Sequence, residues 1–311
     1  MNKPPTITIA ICTYNRESYL RDTLRDLTVQ KGEINGAAIL VIDNNSQDGT
    51  ETAVHNYMSA NPRIDIRYVR EQKQGLSHAR NRAFAEAESE YLLFIDDDVV
   101  LPAHFTESAL NMVQDFEHPS CGGGRIFVQF DNGDPDWIPR ELMPMFGLHD
   151  LGDASRPYPP DNFPRGGNML IHRTVFEAVG EFDPHLGRKG KGLAGSEEKA
   201  FFAEARERGF PLLYLPQLEL HHRIGADRLQ RPYLMRQSQG IGTSEYVRLR
   251  HSPIGQIGKL ASECVKGAGS VVLALLYLLR GKTGAAKLLL LFRWWVLQGF
   301  FRGRQIETNN G

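Results

Sequence analysis

The chain has 311 residues, of which 41% are hydrophobic and 23% charged, so it can bury a full core and has the composition of a soluble globular protein. Its net charge of −1 conceals a division, because residues 223–311 carry 14 Lys/Arg and 4 Asp/Glu whereas the first 222 residues carry 22 and 33. This division predicts an acidic body and a basic tail that meets an anionic surface, and no nucleic-acid partner is expected.

Strands and helices alternate over the first hundred residues. Apolar, β-branched segments predict four strands: Thr6–Cys12, Ala37–Asp43, Ile64–Arg70 and Tyr91–Ile95. Helical periodicity lies between them in three segments: Ser18–Gln30, a stretch from about Glu51, and Gly75–Glu88. Such repetition predicts a parallel sheet with helices on both faces, the three-layer α/β class.

The second half of the chain is less regular. Asp131–Phe163 is rich in Pro, Gly and Asp and too long for a simple connection, so we predict a binding loop or an insertion. Arg165–Arg173 restores a strand, Glu197–Arg208 is helical, and Pro211–His222 predicts one or two short strands. Beyond Leu229 the pattern is helical to its end.

Three consecutive aspartates, Asp96, Asp97 and Asp98, follow the apolar strand Tyr91–Ile95 directly. Clustered carboxylates repel one another unless a cation or hydrogen-bond donors compensate them, and hard divalent ions prefer oxygen ligands. In open α/β sheets, ligands bind where strands end. The cluster therefore indicates a metal-dependent site for an anionic ligand, most simply a nucleotide diphosphate. The alternative is an acidic N-cap of a helix that begins near Pro102.

Two other classes of site are disfavoured. A nicotinamide-binding fold needs G-x-G-x-x-G at the first strand-to-helix turn, but Thr13–Glu17 contains no glycine and the glycines of Cys121–Phe127 come too late. The cysteines Cys12, Cys121 and Cys264 lie far apart, which excludes a disulfide framework and a zinc site. The N-terminal segment lacks the apolar core of a signal peptide, so a reducing cytosol is expected.

Several motifs, taken in order, resemble family 2 glycosyltransferases. TYNR after the first strand, VIDNNSQDGT after the second, GLSHARNRA in the third helix and IDDDV after the next strand resemble the nucleotide-binding half, and RGGNM and GSEEKAF resemble the acceptor half. The resemblance spans roughly Thr6 to His222. It implies a GT-A fold, in which a Rossmann-like nucleotide-binding half (1–100) joins an acceptor half (101–222), followed here by a helical tail (223–311). It also implies an inverting transferase that uses a nucleotide-diphosphate sugar with Mg²⁺ or Mn²⁺.

The resemblance places the nucleotide at the strand ends. An aromatic side chain there, Tyr14, could stack on the base. The family commonly carries two acids that read uracil after the second strand; this chain has Asp43 and Asn44, and the amide oxygen of Asn44 can still accept a hydrogen bond. The implied nucleotide-binding residues are Thr13, Tyr14, Asn15, Arg16, Asp43, Asn44, Gly75, Arg80, Asp96 and Asp97.

The metal and Arg80 are predicted in the same place. The implied metal ligands are Asp98 and Asp96, joined by His222 or its neighbour His221 at the end of a late strand. Arg80 would pair with the aspartates or the diphosphate, or else form a structural ion pair.

An inverting transfer needs a base that takes the proton of the attacking hydroxyl. The family usually has Glu-Asp with the second acid as base; this chain has Glu197 and Glu198, so the resemblance implies Glu198, with Glu197 as the second candidate. The structural alternative is a pair of first-turn glutamates behind an N-cap at Ser196. Residues predicted to contact the sugar or acceptor are Gly166, Gly167, Asn168 and Trp137.

The basic tail contains two apolar segments, Gly269–Leu279 and Leu288–Phe301, each shorter than the about 20 residues that cross a bilayer. Because Lys and Arg flank them, an interfacial position on an anionic membrane is expected. The alternative is a helical hairpin that packs on the protein itself or across a dimer.

Together these patterns predict a cytoplasmic enzyme, peripheral on the inner face of the cell membrane. It would move a sugar from a nucleotide-diphosphate donor, expected to be a UDP-sugar, to a saccharide or lipid-linked acceptor in surface glycan biosynthesis. The alternatives are a non-catalytic, glycosyltransferase-like scaffold protein and a sugar nucleotidyltransferase.

Overall fold

Nine strands form one mixed sheet among the described residues, which are 5–32, 35–186 and 197–310 of the computed structural model. The sheet order is β3-β2-β1-β4-β8-β6-β9-β5, and β7 pairs with β9 beside this path. In chain order the strands are β1 Ile7–Thr13, β2 Ala37–Asp43, β3 Ile66–Arg70, β4 Tyr91–Ile95, β5 Val99–Val100, β6 Cys121–Phe130, β7 Arg156–Pro157, β8 Asn168–His172 and β9 Leu212–Ile224.

The predicted parallel arrangement covers the first part of this sheet. β1 runs parallel to β2 and to β4, and β2 runs parallel to β3. The later pairs are antiparallel, with β8 between β4 and β6 and with β5 and β7 each beside β9. β9 is one strand of 13 residues where the sequence predicted one or two short ones.

Helices cover both faces of the sheet and form the C-terminal region. In chain order they are α1 Glu17–Thr28, α2 Thr50–Ala60, α3 Leu76–Glu86, α4 Phe105–Gln114, α5 Arg173–Val179, α6 Glu197–Glu207, α7 Arg231–Leu249, α8 Pro253–Leu279 and α9 Thr283–Asn310. The predicted loop or insertion Asp131–Phe163 contains a 3₁₀ helix, Arg140–Phe146, and β7.

The sheet is buried on both faces, which explains why its central strands are apolar throughout. Ile9 and Ile11 of β1 pack into one cluster with Leu24 of α1, whereas Ala10 faces a second cluster that includes Phe84 of α3 and Phe202 of α6. Since successive side chains of a strand point to opposite faces, each central strand contributes to both clusters. The three-layer prediction is confirmed.

The described residues fall into two compact units. The first lies within Met1–Val128, Gly147–Gly190 and Glu197–Arg223, and the second within Gln129–Phe146 and Ile224–Gly311. In the second unit the Tyr277 hydroxyl donates a hydrogen bond to Glu141 at 2.9 Å, so the 3₁₀ helix belongs with the C-terminal helices.

Within the second unit, α7 and α9 approach each other through glycines. A Cβ on Gly299 of α9 would lie 2.7 Å from the Cα of Gln239, and a Cβ on Gly242 of α7 would lie 2.7 Å from the backbone nitrogen of Phe300. Contacts of backbone with backbone leave no flexible side chain that could yield. Glycine at these positions is therefore required by the closeness of the two helices.

We expect Gly299→Ala to lower the free energy of unfolding by about 1–3 kcal/mol, the usual cost of overpacking. The matched control is Gly258→Ala on α8, where a Cβ would meet nothing within 4 Å. There the alanine should stabilise the helix by about 0.4–1 kcal/mol. Urea unfolding followed by circular dichroism measures both, and equal effects would contradict the backbone contact.

Candidate functional site

The carboxyl ends of β1, β2 and β4 meet at one edge of the sheet. The register pairs Thr13 with Asp43 and Ile11 with Ile95, which sets the three aspartates after β4 beside the turn after β1. β8 enters from the opposite direction, with Asn168 paired to Ile95. Residues from distant parts of the sequence are therefore brought to one place by strand pairing.

Asp97 is buried and held by the first turn of the fold. The Thr13 hydroxyl donates to one of its oxygens at 2.6 Å, and Arg16 Nε lies 3.4 Å from the other. Burial raises the pKa of Asp97 to about 7, the charge of Arg16 opposes this rise, and the charge of Asp98 adds to it. A second cation near the cluster would lower this pKa by the same Coulombic effect.

Three side chains converge as a candidate metal centre. Ligand atoms of Asp96, Asp98 and His222 all lie within 4.8 Å of one another. His222 Nε2 is 3.2 Å from one oxygen of Asp98, and Arg16 Nη2 is 2.8 Å from the other. Two carboxylates with one imidazole suit Mn²⁺, and one or two carboxylates with substrate phosphates is the usual way in which proteins bind Mg²⁺. These residues therefore fit the predicted divalent cation.

The N-cap alternative for the aspartates is wrong, because Asp98 is followed by β5 and α4 begins only at Phe105. β5 instead positions the metal candidates, since it pairs Val99 with His222 and the Arg223 N–H donates to the Asp98 carbonyl at 2.8 Å. The sequence did not decide which of His221 and His222 joins the aspartates as a metal ligand. His222 faces the aspartates, whereas His221 lies 3.6 Å from Glu219.

Gly166 and Gly167 lie against the site, and side chains from other parts of the chain fill the space that a Cβ at either position would need. A Cβ on Gly167 would lie 2.5 Å from Asp96 Oδ2, and one on Gly166 would collide with Arg80. Asn168 follows with its side chain fully buried, donating to the Leu218 carbonyl at 2.7 Å. The close approach that the sequence assigned to a sugar is thus made by protein groups, and a sugar contact at these residues stays a prediction.

The turns after β1 and β2 are linked through Asn15. Its backbone N–H donates to Ser46 Oγ at 2.9 Å, and its side-chain oxygen accepts from the Gln47 N–H at 2.7 Å. Its φ of 53° is left-handed, a conformation in which Asn is enriched. Tyr14 beside it is half-buried, and its stacking on a base stays a prediction.

Asp43 and Asn44 both have hydrogen-bond partners within the protein. The oxygens of Asp43 accept from the Ser46 N–H at 2.8 Å and from the Tyr68 hydroxyl at 2.7 Å. Burial and this hydrogen bond raise the pKa of Tyr68. Tyr68 was not among the residues predicted from the sequence, although its place in a predicted strand beside the one that ends in Asp43 was a usable signal.

Asn44 shapes the loop that enters α3. Its amide nitrogen donates to the Lys73 carbonyl at 2.7 Å, and its amide oxygen accepts from the Gly75 N–H at 2.8 Å. Gly75 has a φ of 142°, where a side chain would be strained. The amide oxygen that the sequence offered to a uracil therefore holds this loop, and contact of Asn44 with a nucleotide stays a prediction.

Arg80 forms an ion pair with the glutamates of α6, and its contact with a diphosphate stays a prediction. Its Nη1 donates to Glu197 Oε1 at 2.7 Å and lies 3.8 Å from Glu198 Oε2. The side chains of Arg80 and Glu197 are 4% and 2% exposed, whereas that of Glu198 is 26% exposed. Burial lowers the pKa of Arg80, but the charges of the two glutamates raise it by more, so the guanidinium stays charged.

Two sequence expectations lie elsewhere. Ser196, the predicted N-cap of α6, falls outside the described residues. Trp137 belongs to the second unit, where a Cβ on Gly284 would lie 2.8 Å from its own Cβ. A role for Trp137 toward an acceptor stays a prediction.

The family model and the relatives that match this chain all describe glycosyltransferases. Residues 8–180 match the model described as Glycosyl transferase family 2. The glucosyl-dolichyl phosphate glucuronosyltransferase of Haloferax volcanii is 22% identical over 246 residues, which are 78% of this chain and 76% of that protein. The GalNAc(5)-diNAcBac-PP-undecaprenol beta-1,3-glucosyltransferase of Campylobacter jejuni is 29% identical over 94 residues, 30% of each chain.

Solved structures confirm the predicted GT-A fold. The mannosyltransferase PcManGT from Pyrobaculum calidifontis, in complex with GDP-Man and Mn²⁺, superimposes with a TM-score of 0.58 at 15% identity and covers 99% of this chain and 76% of its own. Residues 1–349 of S. aureus TarS, in complex with UDP-GlcNAc, give a TM-score of 0.53 at 16% identity and cover 96% and 92%.

We expect Asp98→Asn to weaken Mn²⁺ binding, because the amide keeps the shape of the side chain but loses its charge. The loss should exceed the about 10–100-fold that is usual when a residue that only supports a metal ligand is changed. Titration calorimetry with Mn²⁺ alone measures this. Asp115→Asn, at an exposed aspartate after α4, is the control and should bind as the unaltered chain does. Equal affinities for the two variants would remove Asp98 from the metal site.

Arg80→Met should destabilise the first unit by about 3–5 kcal/mol, because it leaves the carboxylate of Glu197 buried without its main partner. The double variant Arg80→Met/Glu197→Gln should recover a large part of this loss. Arg82→Met, on the same helix, removes an exposed pair with Glu86 and should cost about 0–1 kcal/mol. Unfolding free energies of all three variants test the assignment, and similar losses for Arg80→Met and Arg82→Met would contradict it.

Proposed function

The chain belongs to glycosyl transferase family 2, and we propose that it is an inverting hexosyltransferase that moves a sugar from a nucleotide-diphosphate donor to a saccharide or lipid-linked acceptor. The observation that carries the proposal is the convergence of Asp96, Asp98 and His222 at the edge where the strands end, with Glu198 joined to the same edge through Arg80. This arrangement offers a place for a diphosphate and, separately, a carboxylate for an acceptor.

The donor's diphosphate would lie at the end of β4. Asp98, Asp96 and His222 would hold Mn²⁺ or Mg²⁺ there, and a divalent ion, when bound, stabilises the negative charge of a departing diphosphate. Arg16 has a guanidinium 2.8 Å from Asp98 and can supply further positive charge toward phosphate oxygens. Asp97 would stay with Thr13 and keep the turn in place.

Glu198 would be the base. The acceptor hydroxyl attacks the anomeric carbon, the new C–O bond forms as the bond from that carbon to the phosphate oxygen breaks, and the hydroxyl proton passes to the Glu198 carboxylate. Glu197 is less suited, because it is buried and its Oε1 is bound to Arg80 at 2.7 Å. The two glutamates would therefore divide the work, with Glu197 holding Arg80 and Glu198 facing the acceptor.

A UDP-sugar remains the donor we propose from the motif after β2, with GDP- and dTDP-sugars as competitors. Of the structures compared, one binds GDP-Man and another UDP-GlcNAc, so the fold accepts more than one base. The relatives named for dolichyl phosphate and PP-undecaprenol support a lipid-linked acceptor and a role in surface glycan assembly. A transfer and hydrolysis screen over UDP-, GDP- and dTDP-sugars with Mn²⁺ and Mg²⁺ tests this proposal. Donor binding without turnover would favour a scaffold protein.

We assign the transfer to residues 1–222 and membrane association, on the cytoplasmic face, to residues 223–311. The excess of Lys/Arg in the tail supports attraction to an anionic leaflet. A membrane-bound acceptor would also require the enzyme at that surface.

Glu198→Gln should lower kcat by roughly 10²-fold or more, the usual contribution of a general base, with donor affinity nearly unchanged. Glu197→Gln should act mainly on stability, because it leaves Arg80 buried beside a neutral amide. Steady-state kinetics and unfolding curves of both variants separate the two roles. A larger kcat loss in Glu197→Gln would assign the base to Glu197, and an unaffected kcat in both would leave the pair with a structural role only.

A further inference from the structure

Helix α8 buries polar side chains and exposes apolar ones, which is the reverse of a helix on the surface of a soluble protein. Its buried residues are Glu263, Ser270 and Ala274. Its exposed large apolar side chains, 44% to 86% accessible, are Ile254, Ile257, Val265, Val271, Val272, Leu275, Leu276, Leu278 and Leu279.

The buried face is held by charges. Glu263 pairs with Lys259 at 2.9 Å on the same helix and with Arg293 of α9 at 3.5 Å, and Arg293 Nε donates to Ser270 Oγ at 3.1 Å. Burial by itself would raise the pKa of Glu263, but the hydrogen bond from Lys259 and the neighbouring cations lower it. The carboxylate therefore stays charged and fixes which side of α8 faces α9.

The opposite face is a continuous apolar stripe. At 3.6 residues per turn, Ile254, Val265, Val272, Leu276 and Leu279 fall within an arc of about 100° opposite Glu263. The other positions in that arc are uncharged: Ile257, Gly258, Ala261, Ala268 and Leu275. With 27 residues at about 1.5 Å each, the stripe runs for about 40 Å.

The sequence-based judgement that Gly269–Leu279 is too short to cross a bilayer counted the apolar run and not the helix, which begins at Pro253. α8 is long and apolar enough to cross by length and composition, and 17% of its most apolar window is buried. However, Lys259, Glu263 and Lys266 lie in its first half, and a charged side chain at the centre of a bilayer costs at least about 2.5–3.5 kcal/mol. A helix in the plane of the surface keeps these charges out of the hydrocarbon.

Exposed cations frame the stripe. Arg250 precedes α8, Lys266 lies on its flank, and Arg280 and Lys282 follow it in the turn before α9. They complement the headgroups of anionic lipids. A second copy of the chain is a poorer partner, because two-fold pairing of the stripe would bring these cations toward their counterparts.

We propose that α8 lies flat in one leaflet of an anionic membrane, with the stripe at the acyl boundary and the Glu263 face against α9. This inference deepens the membrane association proposed above and rests on it. The tail would then be attached to one side of the membrane without crossing it.

The first test is flotation of the full chain with vesicles of phosphatidylcholine and phosphatidylglycerol. Val272→Glu, at a position 58% exposed on the stripe, should weaken binding by roughly 10-fold or more, since the burial of one valine side chain is lost. Val29→Glu, at a position 64% exposed after α1, introduces the same charge and should leave binding unchanged. Equal effects of the two variants would overturn the stripe as the contact.

The second test decides between lying flat and crossing. In a Cys264→Ser background, His251→Cys and Thr283→Cys place a thiol just beyond each end of α8, at exposed positions outside the stripe, and a membrane-impermeant maleimide is added outside the vesicles. The background chain itself is the control for Cys12 and Cys121. Both ends should react before detergent is added. Protection of one end until detergent is added would mean that α8 crosses, which overturns the flat orientation but keeps membrane association.

Full-length protein that does not float with anionic vesicles would overturn both proposals. Sedimentation would then show whether the stripe joins two copies of the chain. Activity in the donor screen is independent of either outcome, so the transferase proposal stands or fails separately.

Discussion

The mutual repulsion of three adjacent carboxylates is the constraint on which the first unit depends. Asp97 and Asp98 are both buried, and ionised groups in that position must be compensated. The compensation comes from two separate parts of the chain: the end of β1 with the turn after it, which contributes Thr13 and Arg16, and the end of β9, which contributes His222. Thr23 of α1 also accepts and donates hydrogen bonds around the backbone of Asp97 and Val99. Correct pairing of β1 with β4 and of β5 with β9 is therefore a condition for burying the cluster.

A second buried charge connects the two sides of the site. Arg80 extends from α3, whose entry loop is held by Asn44, to the first turn of α6. Its guanidinium also leaves no room for a side chain at Gly166. The position of Glu198 is thus tied, through Arg80, to the elements that surround the aspartates. Displacement of α3 or of α6 would therefore alter the ion pair between Arg80 and Glu197.

Much of this could be predicted from the sequence, because the relevant signals are local. The apolar strands and helical periodicity predicted β1 to β4 and α1 to α3 with boundaries shifted by no more than two residues. The residues at the strand ends followed from that pattern. The partner of Arg80 did not, because Glu197 is 117 residues away and either a phosphate or a carboxylate satisfies a guanidinium equally well. The hydrogen bonds of Asn44 with its own loop were missed for the same reason. The length of α8 was underestimated because its polar residues, which face inward, interrupt the apolar run in the sequence.

The alternation of side chains along β9 restricts which insertions and deletions the strand can accept. Leu218 and Leu220 face the core, and because side chains alternate along a strand, His222 falls on the same side while His221 falls on the other. Hydrophobic packing and the contact of His222 with Asp98 thus share one frame of two residues. A gain or loss of one residue between Leu218 and His222 would send either the leucines outward or the imidazole away from Asp98. Length changes in this stretch would therefore have to come in pairs of residues if both contacts are to be kept, whereas single replacements leave the frame intact.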